Sequence, residues 1–391
     1  MAFSWMLTLM VLHALQAERL IEDFGGQVSL LQQHLVVGTD ADDVSTSALE
    51  ASSSDEVQLE SLLRQAGEEC PQSSEACLSI LTDLRTQLWP YVQEEANWSG
   101  AAWLPSGMDS EQAMGEISCS QNKTMYYRHI WKSAGHSVFE NLEQVTTHFR
   151  QDGMSYSEFC QNFNSLDDRE HAAFTFVRDP ISRFISGYAE IEHRTRDGVT
   201  QYADLATTLS QHPVGSPERA AAFFKEFLRT GINLDGHVKP QLEFLLPNGG
   251  CSVPMNFIGK TNSMEEDWTR MFRLQECSLS APFDEHLGLH PNDQADKVAM
   301  EISLGLESDR ATDSSGDVAT NTSSELMLVE ATADMRALVA ALQQDRSKYL
   351  RALCWLLLPD FAAFNFKLPA ACQQGQLRSL LQPRRGESDQ Q

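Results

Sequence analysis

The residues most able to bind a charged group lie in two short segments, each between a predicted strand and a predicted helix. The first is Lys132-Ser133-Ala134-Gly135-His136-Ser137, directly after the strand pattern of residues 125–130. Backbone N–H groups at a helix start have no intrahelical partner, and the helix dipole favours an anion there. Gly135 would let the backbone approach a ligand closely, while Ser137 and Lys132 add side-chain donors. This segment is therefore a predicted phosphate-binding loop.

The second segment follows the apolar strand pattern of residues 172–177. Asp179 is placed as the N-cap of the next helix, and Pro180 stands in its first turn. Arg178 then lies at a strand end and Ser186 lies inside the helix. Both side chains can contact one phosphate, so this segment predicts a second anion site.

Together the two segments resemble the sulfotransferases, in particular the membrane-associated carbohydrate group. The 5′ loop of that group has the form lysine, two small residues, glycine, then hydroxyl residues. Its 3′ motif has the form Val-Arg-Asp-Pro, two residues, then Arg-Phe/Leu-x-Ser-x-Tyr, as in residues 177–188. The resemblance implies that residues 132–137 bind the 5′-phosphosulfate of 3′-phosphoadenosine 5′-phosphosulfate (PAPS), with Lys132 at the bridging oxygen. It also implies that Arg178 and Ser186 bind the 3′-phosphate, which selects PAPS over ATP.

The likeness extends over about residues 126–372. It includes the segment from His237 to Gln241, which is similar to the His-x-x-Pro-Gln segment of these enzymes. His136 departs from the family, which usually has threonine or another small polar residue there. An imidazole can still donate a hydrogen bond to phosphate, so His136 stays among the predicted cofactor contacts with Ser133, Ala134 and Gly135.

Sulfuryl transfer to a hydroxyl needs a base that takes the acceptor proton and a positive group that stabilises the departing phosphate. Lys132 suits the second task. His237 is the first candidate for the base, because the resemblance places its motif near the acceptor; a packing role is the alternative. His148, between the two phosphate-binding segments, is the second candidate. His129 and His171 border predicted strands, where a structural role is expected.

The alternation of strand, loop and helix predicts a three-layer α/β sandwich with a central parallel sheet. Residues 255–259 form a third strand pattern, and a long helical pattern covers residues 324–358. Ser216 marks a helix start, and Ser263 with Glu266 predicts a capping box. The resemblance implies that this sandwich is the P-loop-like fold of the sulfotransferases.

The ends of the chain differ from its centre in composition. Residues 1–17 are apolar and close on Ala17, which is typical of a signal peptide. A type II anchor is the alternative, although a spanning helix needs about 20 apolar residues. The remaining predicted regions are an acidic stem or linker at 18–115 with a possible helical patch from Leu59 to Tyr91, a catalytic domain at 116–372 with a polar insertion at about 307–325, and a polar tail at 373–391.

Overall composition limits the partners and the compartment. The 29 basic and 55 acidic side chains give a net charge of −26, which opposes attraction to nucleic acid and to anionic membranes. Any membrane association would therefore use the N-terminal segment alone. Eight cysteines can pair in an oxidising lumen, and none has zinc-site spacing, so no metal is expected. With the glycosylation triplets at Asn97, Asn122 and Asn321, these features predict a Golgi or secreted glycoprotein.

The expected acceptor is a carbohydrate or another hydroxyl-bearing compound, and the sequence leaves its identity open. Arg194, Arg196 and Lys239 could receive a uronic acid or a sulfate, though a solvated charged loop explains them equally well. Two alternatives to a sulfotransferase stay open. A nucleotide kinase is disfavoured, because GxxxxGK[ST] spacing and a magnesium carboxylate are missing. A secreted nucleotide- or glycan-binding protein without catalysis is compatible with the departure at His136.

Overall fold

A computed structural model of the chain describes residues 53–105, 114–120, 123–145, 171–230, 235–246, 254–277, 282–284 and 323–373. The predictions for the signal peptide, the polar insertion before residue 323, the C-terminal tail and His148 lie outside these residues. Within the described ranges, no helix combines the length and apolar character that crossing a bilayer requires.

The secondary structure alternates between strands and helices through the centre of the chain. The strands are β1 (Met114–Ser120), β2 (Lys123–Arg128), β3 (His171–Val177) and β4 (Phe257–Lys260). The helices are α1 (Ser53–Glu69), α2 (Ser74–Ala96), α3 (Gly135–Val145), α4 (Pro180–Arg196), α5 (Ala203–Leu209), α6 (Pro217–Thr230), α7 (Met264–Leu274) and α8 (Ser323–Ala363). Short 3₁₀ turns occupy Thr200–Tyr202, Gln241–Leu245, Thr261–Ser263 and Ala370–Cys372.

The sheet has the order β1-β2-β3-β4. β2, β3 and β4 run parallel, with Thr124 paired to His171 and Phe174 paired to Phe257. β1 lies antiparallel to β2 at the edge. The predicted parallel sheet is confirmed over three strands. β1 was not predicted, because its sequence MGEISCS contains no sustained apolar run or alternation.

Helices cover both faces of this sheet. β3 is buried along its whole length, as its apolar pattern predicted. Ala173 and Val177 face one hydrophobic core, to which α1, α2, α4, α6 and α8 contribute. Phe174 and Phe176 face a second core, formed with α3 and α7. The three-layer α/β architecture is therefore confirmed.

The region predicted to be a stem with a possible helical patch contains the helical hairpin α1–α2. Its turn is closed by the disulfide between Cys70 and Cys77. Leu84, Leu88 and Val92 lie on one face of α2 and are buried in the same core as α8. These two helices are thus part of the folded unit, because their leucine spacing gives each an apolar face to bury.

The tip of the α1–α2 hairpin also contacts the sheet. The carbonyl of Pro71 accepts a hydrogen bond of 2.6 Å from the N–H of Met255, just before β4 begins. A second disulfide, between Cys354 and Cys372, ties α8 to the chain that follows it.

Two of the predicted helix starts have the expected caps. The carboxylate of Asp179 accepts from the Ser182 N–H at 2.9 Å. The hydroxyl of Ser216 accepts from the Arg219 N–H at 3.2 Å.

The capping box predicted for Ser263 and Glu266 is wrong. The Ser263 hydroxyl instead donates to the carboxylate of Asp267 at 2.8 Å, and the same carboxylate accepts from the Lys260 N–H. The carboxylate of Asp267, and not the Ser263 hydroxyl, therefore accepts the hydrogen bonds at this helix start, and it holds the end of β4 against the start of α7.

A buried ion pair joins α4 to α6. The guanidinium of Arg219 donates to both oxygens of Glu192 at 2.9–3.0 Å, and the Tyr188 hydroxyl donates to Glu192 at 3.2 Å. Glu192 is fully buried and Arg219 nearly so. Removing one charge of such a pair leaves the other buried without compensation.

We therefore expect Glu192→Gln to lower the free energy of unfolding by about 3–5 kcal/mol. Glu226→Gln is the matched control, because Glu226 pairs with the exposed Arg229 on the same helix and should cost at most about 1 kcal/mol. Urea denaturation followed by circular dichroism measures both. An equal decrease in the free energy of unfolding in the two variants would show that the buried pair stabilises the fold no more than the exposed one.

Candidate active site

The two predicted anion-binding segments meet at one edge of the sheet. Lys132 follows β2 and Arg178 follows β3, and the carboxyl ends of these parallel neighbours lie side by side. A guanidinium nitrogen of Arg178 donates to the Lys132 carbonyl at 3.4 Å. The two segments therefore face a common site instead of opposite sides of the molecule.

The backbone of the first loop contains two residues in the left-handed conformation. Lys132 and Ala134 have φ angles of 65° and 59°, a left-handed conformation that costs a non-glycine residue about 1–3 kcal/mol. Ala134 is followed by the first helical residue of α3. Successive N–H groups in such alternating conformations converge on a concave anion site. The sequence did not predict these left-handed conformations at Lys132 and Ala134. It indicated Gly135 as the residue that would let the backbone approach a ligand.

Gly135 has a different reason to be glycine. It is helical, and a Cβ atom at this position would lie 1.9 Å from the His129 ring. His129 itself packs against the rings of Tyr127 and Phe139. Burial lowers the pKa of His129 to about 3, with further lowering from His136 and other nearby cations. His129 is thus an uncharged side chain that packs against the first loop at Gly135.

Gln241 connects the two anion-binding segments. Its carboxamide oxygen accepts from the Ser133 hydroxyl at 3.1 Å and from the Arg178 N–H at 2.9 Å, while its NH₂ donates to the Arg178 carbonyl at 2.7 Å. The buried carboxylate of Asp360 accepts from the N–H groups of Gln241 and Leu242. Ser133 therefore uses its hydroxyl within the protein, and the two loops are held in one fixed relation.

Ser186 and Arg178 belong to the second predicted anion-binding segment. Ser186 is fully buried, and its hydroxyl has no hydrogen-bond partner among the described residues. Arg178 is 5% exposed. A buried hydroxyl without a partner is costly, so Ser186 is well suited to an anionic ligand.

Arg183, in the first turn of α4, has a structural role. Its guanidinium donates to the carbonyls of Trp131, Lys239 and Gly236. Burial lowers the pKa of Arg183 to about 10, against the raising effect of Asp360. Arg183 thereby fastens the first loop to the segment that carries His237.

Lys132 forms an ion pair with Glu190, a residue the sequence did not single out. The ammonium and carboxylate are 2.6 Å apart, and Glu190 also accepts from Arg194 at 2.8 Å. Burial lowers the pKa of Lys132, an effect that Glu190 opposes. Burial alone would raise the pKa of Glu190, but Lys132 and Arg194 outweigh it and lower that pKa below the usual range. Glu190 is therefore ionised at neutral pH.

His237 lies beside this ion pair. It is 6% exposed, its ring is 4.5 Å from the Trp131 ring, and its Nδ1 is hydrogen-bonded to Asp235. Burial lowers the pKa of His237 despite the raising effect of Asp235. The imidazole is consequently neutral and able to accept a proton. A Cβ on Gly187 would lie 2.2 Å from the His237 carbonyl oxygen, so glycine lets α4 approach this segment.

The remaining candidates are distributed around the site. His136 is exposed in the first turn of α3, and His171 stacks on Tyr126 at the start of β3. Arg196 pairs with Asp334 at 2.7 Å, and Lys239 is buried. Of the three cations suggested for an acidic acceptor, Arg194 is the one beside Lys132 and Glu190. Among the described residues, no group of His, Cys, Asp and Glu has the arrangement of a metal site.

Comparison with known families agrees with this geometry. Residues 116–294 match the model of the sulfotransferase family. The matched stretch contains both anion-binding segments and His237, and its sheet is the parallel one described above. Over these residues the chain is similar to the sulfotransferase family. No curated protein and no solved structure matches the chain.

Gln241→Ala tests whether one carboxamide holds the two loops together. We expect the dissociation constant for adenosine 3′,5′-bisphosphate to rise about 30-fold, since a net hydrogen-bond contribution of about 1 kcal/mol is lost at each of the two loops. Isothermal titration calorimetry measures the change. Gln65→Ala is the control, because the Gln65 amide contacts Ser61 on the same helix. An unchanged dissociation constant in a folded Gln241→Ala protein would refute the connection.

Proposed function

We propose that this protein transfers a sulfuryl group from PAPS to a hydroxyl of a carbohydrate acceptor. The observation that carries the proposal is the meeting of Lys132 and Arg178 at the ends of adjacent parallel strands. A nucleotide with an anionic group at each end needs two such positive corners within one site. The family match supports the class of reaction, and the resemblance of the 5′ and 3′ motifs supports the carbohydrate branch.

The residues present fit the nucleotide. The N–H groups from Ala134 to Ser137 lie at the start of α3, where an anion is favoured. The buried hydroxyl of Ser186, together with Arg178, suits the 3′-phosphate. Bound there, PAPS would supply an activated sulfuryl group whose departure leaves charge on the 5′-phosphate.

Two side chains would do the chemistry. Lys132 would donate to the bridging oxygen and stabilise the departing phosphate, exchanging Glu190 for the nucleotide as its partner. His237 would accept the proton of the acceptor hydroxyl while that oxygen attacks sulfur in line. Its burial favours the neutral imidazole, the form that a general base needs.

The acceptor and the compartment follow from charge and from the disulfides. The net charge of −26 and the carboxylate of Glu190 beside Lys132 favour a neutral sugar hydroxyl over a highly sulfated polymer. The pairs Cys70–Cys77 and Cys354–Cys372 support an oxidising compartment. We place the reaction in the Golgi lumen or in the secreted protein, with any membrane association through the N-terminal segment.

Nucleotide preference tests the binding half of the proposal. We expect retention on immobilised adenosine 3′,5′-bisphosphate and little on ATP. Arg178→Ala should weaken that binding about 10- to 100-fold, and Ser186→Ala about 2- to 10-fold, since charge-assisted hydrogen bonds contribute more than neutral ones. Ser210→Ala, on an exposed helix end, is the control. Stronger retention on ATP would favour a nucleotide kinase.

Transfer of labelled sulfate from PAPS to a panel of glycans tests the catalytic half. We expect Lys132→Ala to lower kcat about 10²- to 10³-fold and His237→Ala about 10²- to 10⁴-fold. Lys225→Ala, which removes an exposed lysine of α6, should change neither kcat nor KM. Tight nucleotide binding without any transfer would favour a non-catalytic binding protein.

A further inference from the structure

A chain of three polar side chains ends at the proposed base. The Tyr202 hydroxyl donates to one oxygen of Asp235, and the other oxygen accepts both from the His237 N–H at 2.6 Å and from the His237 ring at Nδ1. The side chains of Asp235 and His237 are 5% and 7% exposed. Tyr202 is 2% exposed and comes from the 3₁₀ turn before α5.

The hydrogen bonds among Tyr202, Asp235 and His237 determine which ring nitrogen of His237 carries the hydrogen. Burial alone would raise the pKa of Asp235, but hydrogen bonds from His237 and Tyr202 outweigh it and lower that pKa. Asp235 is therefore an ionised carboxylate, which can only accept hydrogen bonds. Nδ1 of His237 must then carry the hydrogen, and Nε2 carries the lone pair.

We propose that Asp235 and Tyr202 are positioning residues for His237 in sulfuryl transfer. This inference rests on the proposed function. Asp235 holds the Nδ1–H tautomer and the ring orientation, and Tyr202 holds the carboxylate. As the acceptor oxygen bonds to sulfur, its proton passes to Nε2. The bond from sulfur to the bridging oxygen breaks, and adenosine 3′,5′-bisphosphate leaves with the electron pair.

The surroundings of His237 determine how it responds to pH. Lys132 and Arg194 lower its pKa, whereas Asp235 raises it. The charge of Glu190 also interacts with His237, and His129 lies close enough for the two imidazoles to interact. Asp235 is the direct hydrogen-bond partner of the ring among these groups, so substitutions at Asp235 and Tyr202 should act on His237 in opposite directions.

Asp235→Asn keeps the side-chain shape and an acceptor for the His237 N–H, but it removes the charge. We expect kcat to fall at least tenfold and the acid limb of the pH–rate profile to move to lower pH, because a group that raises the His237 pKa is lost. Tyr202→Phe should move the acid limb to higher pH. The Asp235 carboxylate then loses the hydrogen bond from Tyr202 and raises the pKa of His237 more strongly. Both variants should bind adenosine 3′,5′-bisphosphate within about twofold of the native affinity.

A double substitution separates positioning from a merely structural role. If Asp235 acts through His237, Asp235→Asn should cause no further loss of kcat in a His237→Ala background. An equal loss in the native and His237→Ala backgrounds would overturn the inference. Native-level kcat in His237→Ala would also overturn it, because His237 would not be the base.

Nitrogen-15 NMR of the histidine rings tests the same inference without turnover. The native protein should show His237 as the Nδ1–H tautomer, with its pKa lowered further in Asp235→Asn and raised in Tyr202→Phe. A native Nε2–H tautomer, or a His237 pKa that neither variant shifts, would refute the positioning role. Absence of sulfate transfer by the native protein would refute the proposed function, and the NMR result would still decide on the hydrogen-bonded chain.

Discussion

Collecting cationic side chains at the buried ends of two parallel strands is electrostatically costly, and much of the surrounding structure offsets that cost. Lys132, Arg178 and Arg183 all lie within the same small volume, where low local polarity magnifies their mutual repulsion. Glu190 compensates Lys132 directly. Arg183 is surrounded by backbone carbonyls, whose dipoles point their negative ends at the guanidinium.

Under the proposed function, the same compensation would let Lys132 exchange Glu190 for an anionic ligand. The ammonium of Lys132 pairs with Glu190 in the described part of the chain, and in the proposed reaction a bound phosphosulfate would compete for it. Release of Lys132 from Glu190 leaves that carboxylate with Arg194, which already contacts it. In the proposed reaction, the exchange would therefore leave neither Lys132 nor Glu190 without an oppositely charged partner. Gln241, fixed by Asp360 behind it, keeps the two loops from separating while partners change.

Sequence patterns predicted what is local in this structure. The apolar run predicted the strand at residues 171–177, and Asp179 with Pro180 predicted the start of α4. The position between a strand and a helix predicted the first anion-binding segment. β1 was missed because an edge strand needs no apolar pattern, and Ser263 was misjudged because a nearby carboxylate, Asp267, competes for its hydroxyl.

The site was predicted less completely than the fold. Lys132 and Arg178 stand in motifs, so their meeting followed from strand order. Glu190 pairs with Lys132, 58 positions away, and Gln241 bonds to residues 63 and 108 positions away. Asp235 is two residues from His237, but its other partner, Tyr202, is 33 positions away. No local spacing encodes the long-range contacts among these, since they depend on how α4 and the segment after α6 pack. His237 was identified as a candidate base, but the carboxylate and the tyrosine behind it were not.

The α1–α2 hairpin has a practical consequence for where the folded unit begins and ends. The family-matched stretch of residues 116–294 includes neither this hairpin nor α8, although all three helices fill one side of the sheet. A polypeptide trimmed to that stretch would leave Ala173, Val177 and the inner face of α4 against water, and large apolar patches of this kind drive aggregation. It would also lose the Pro71 contact that anchors the chain entering β4. Recombinant production should therefore start no later than Ser53 and continue through Cys372.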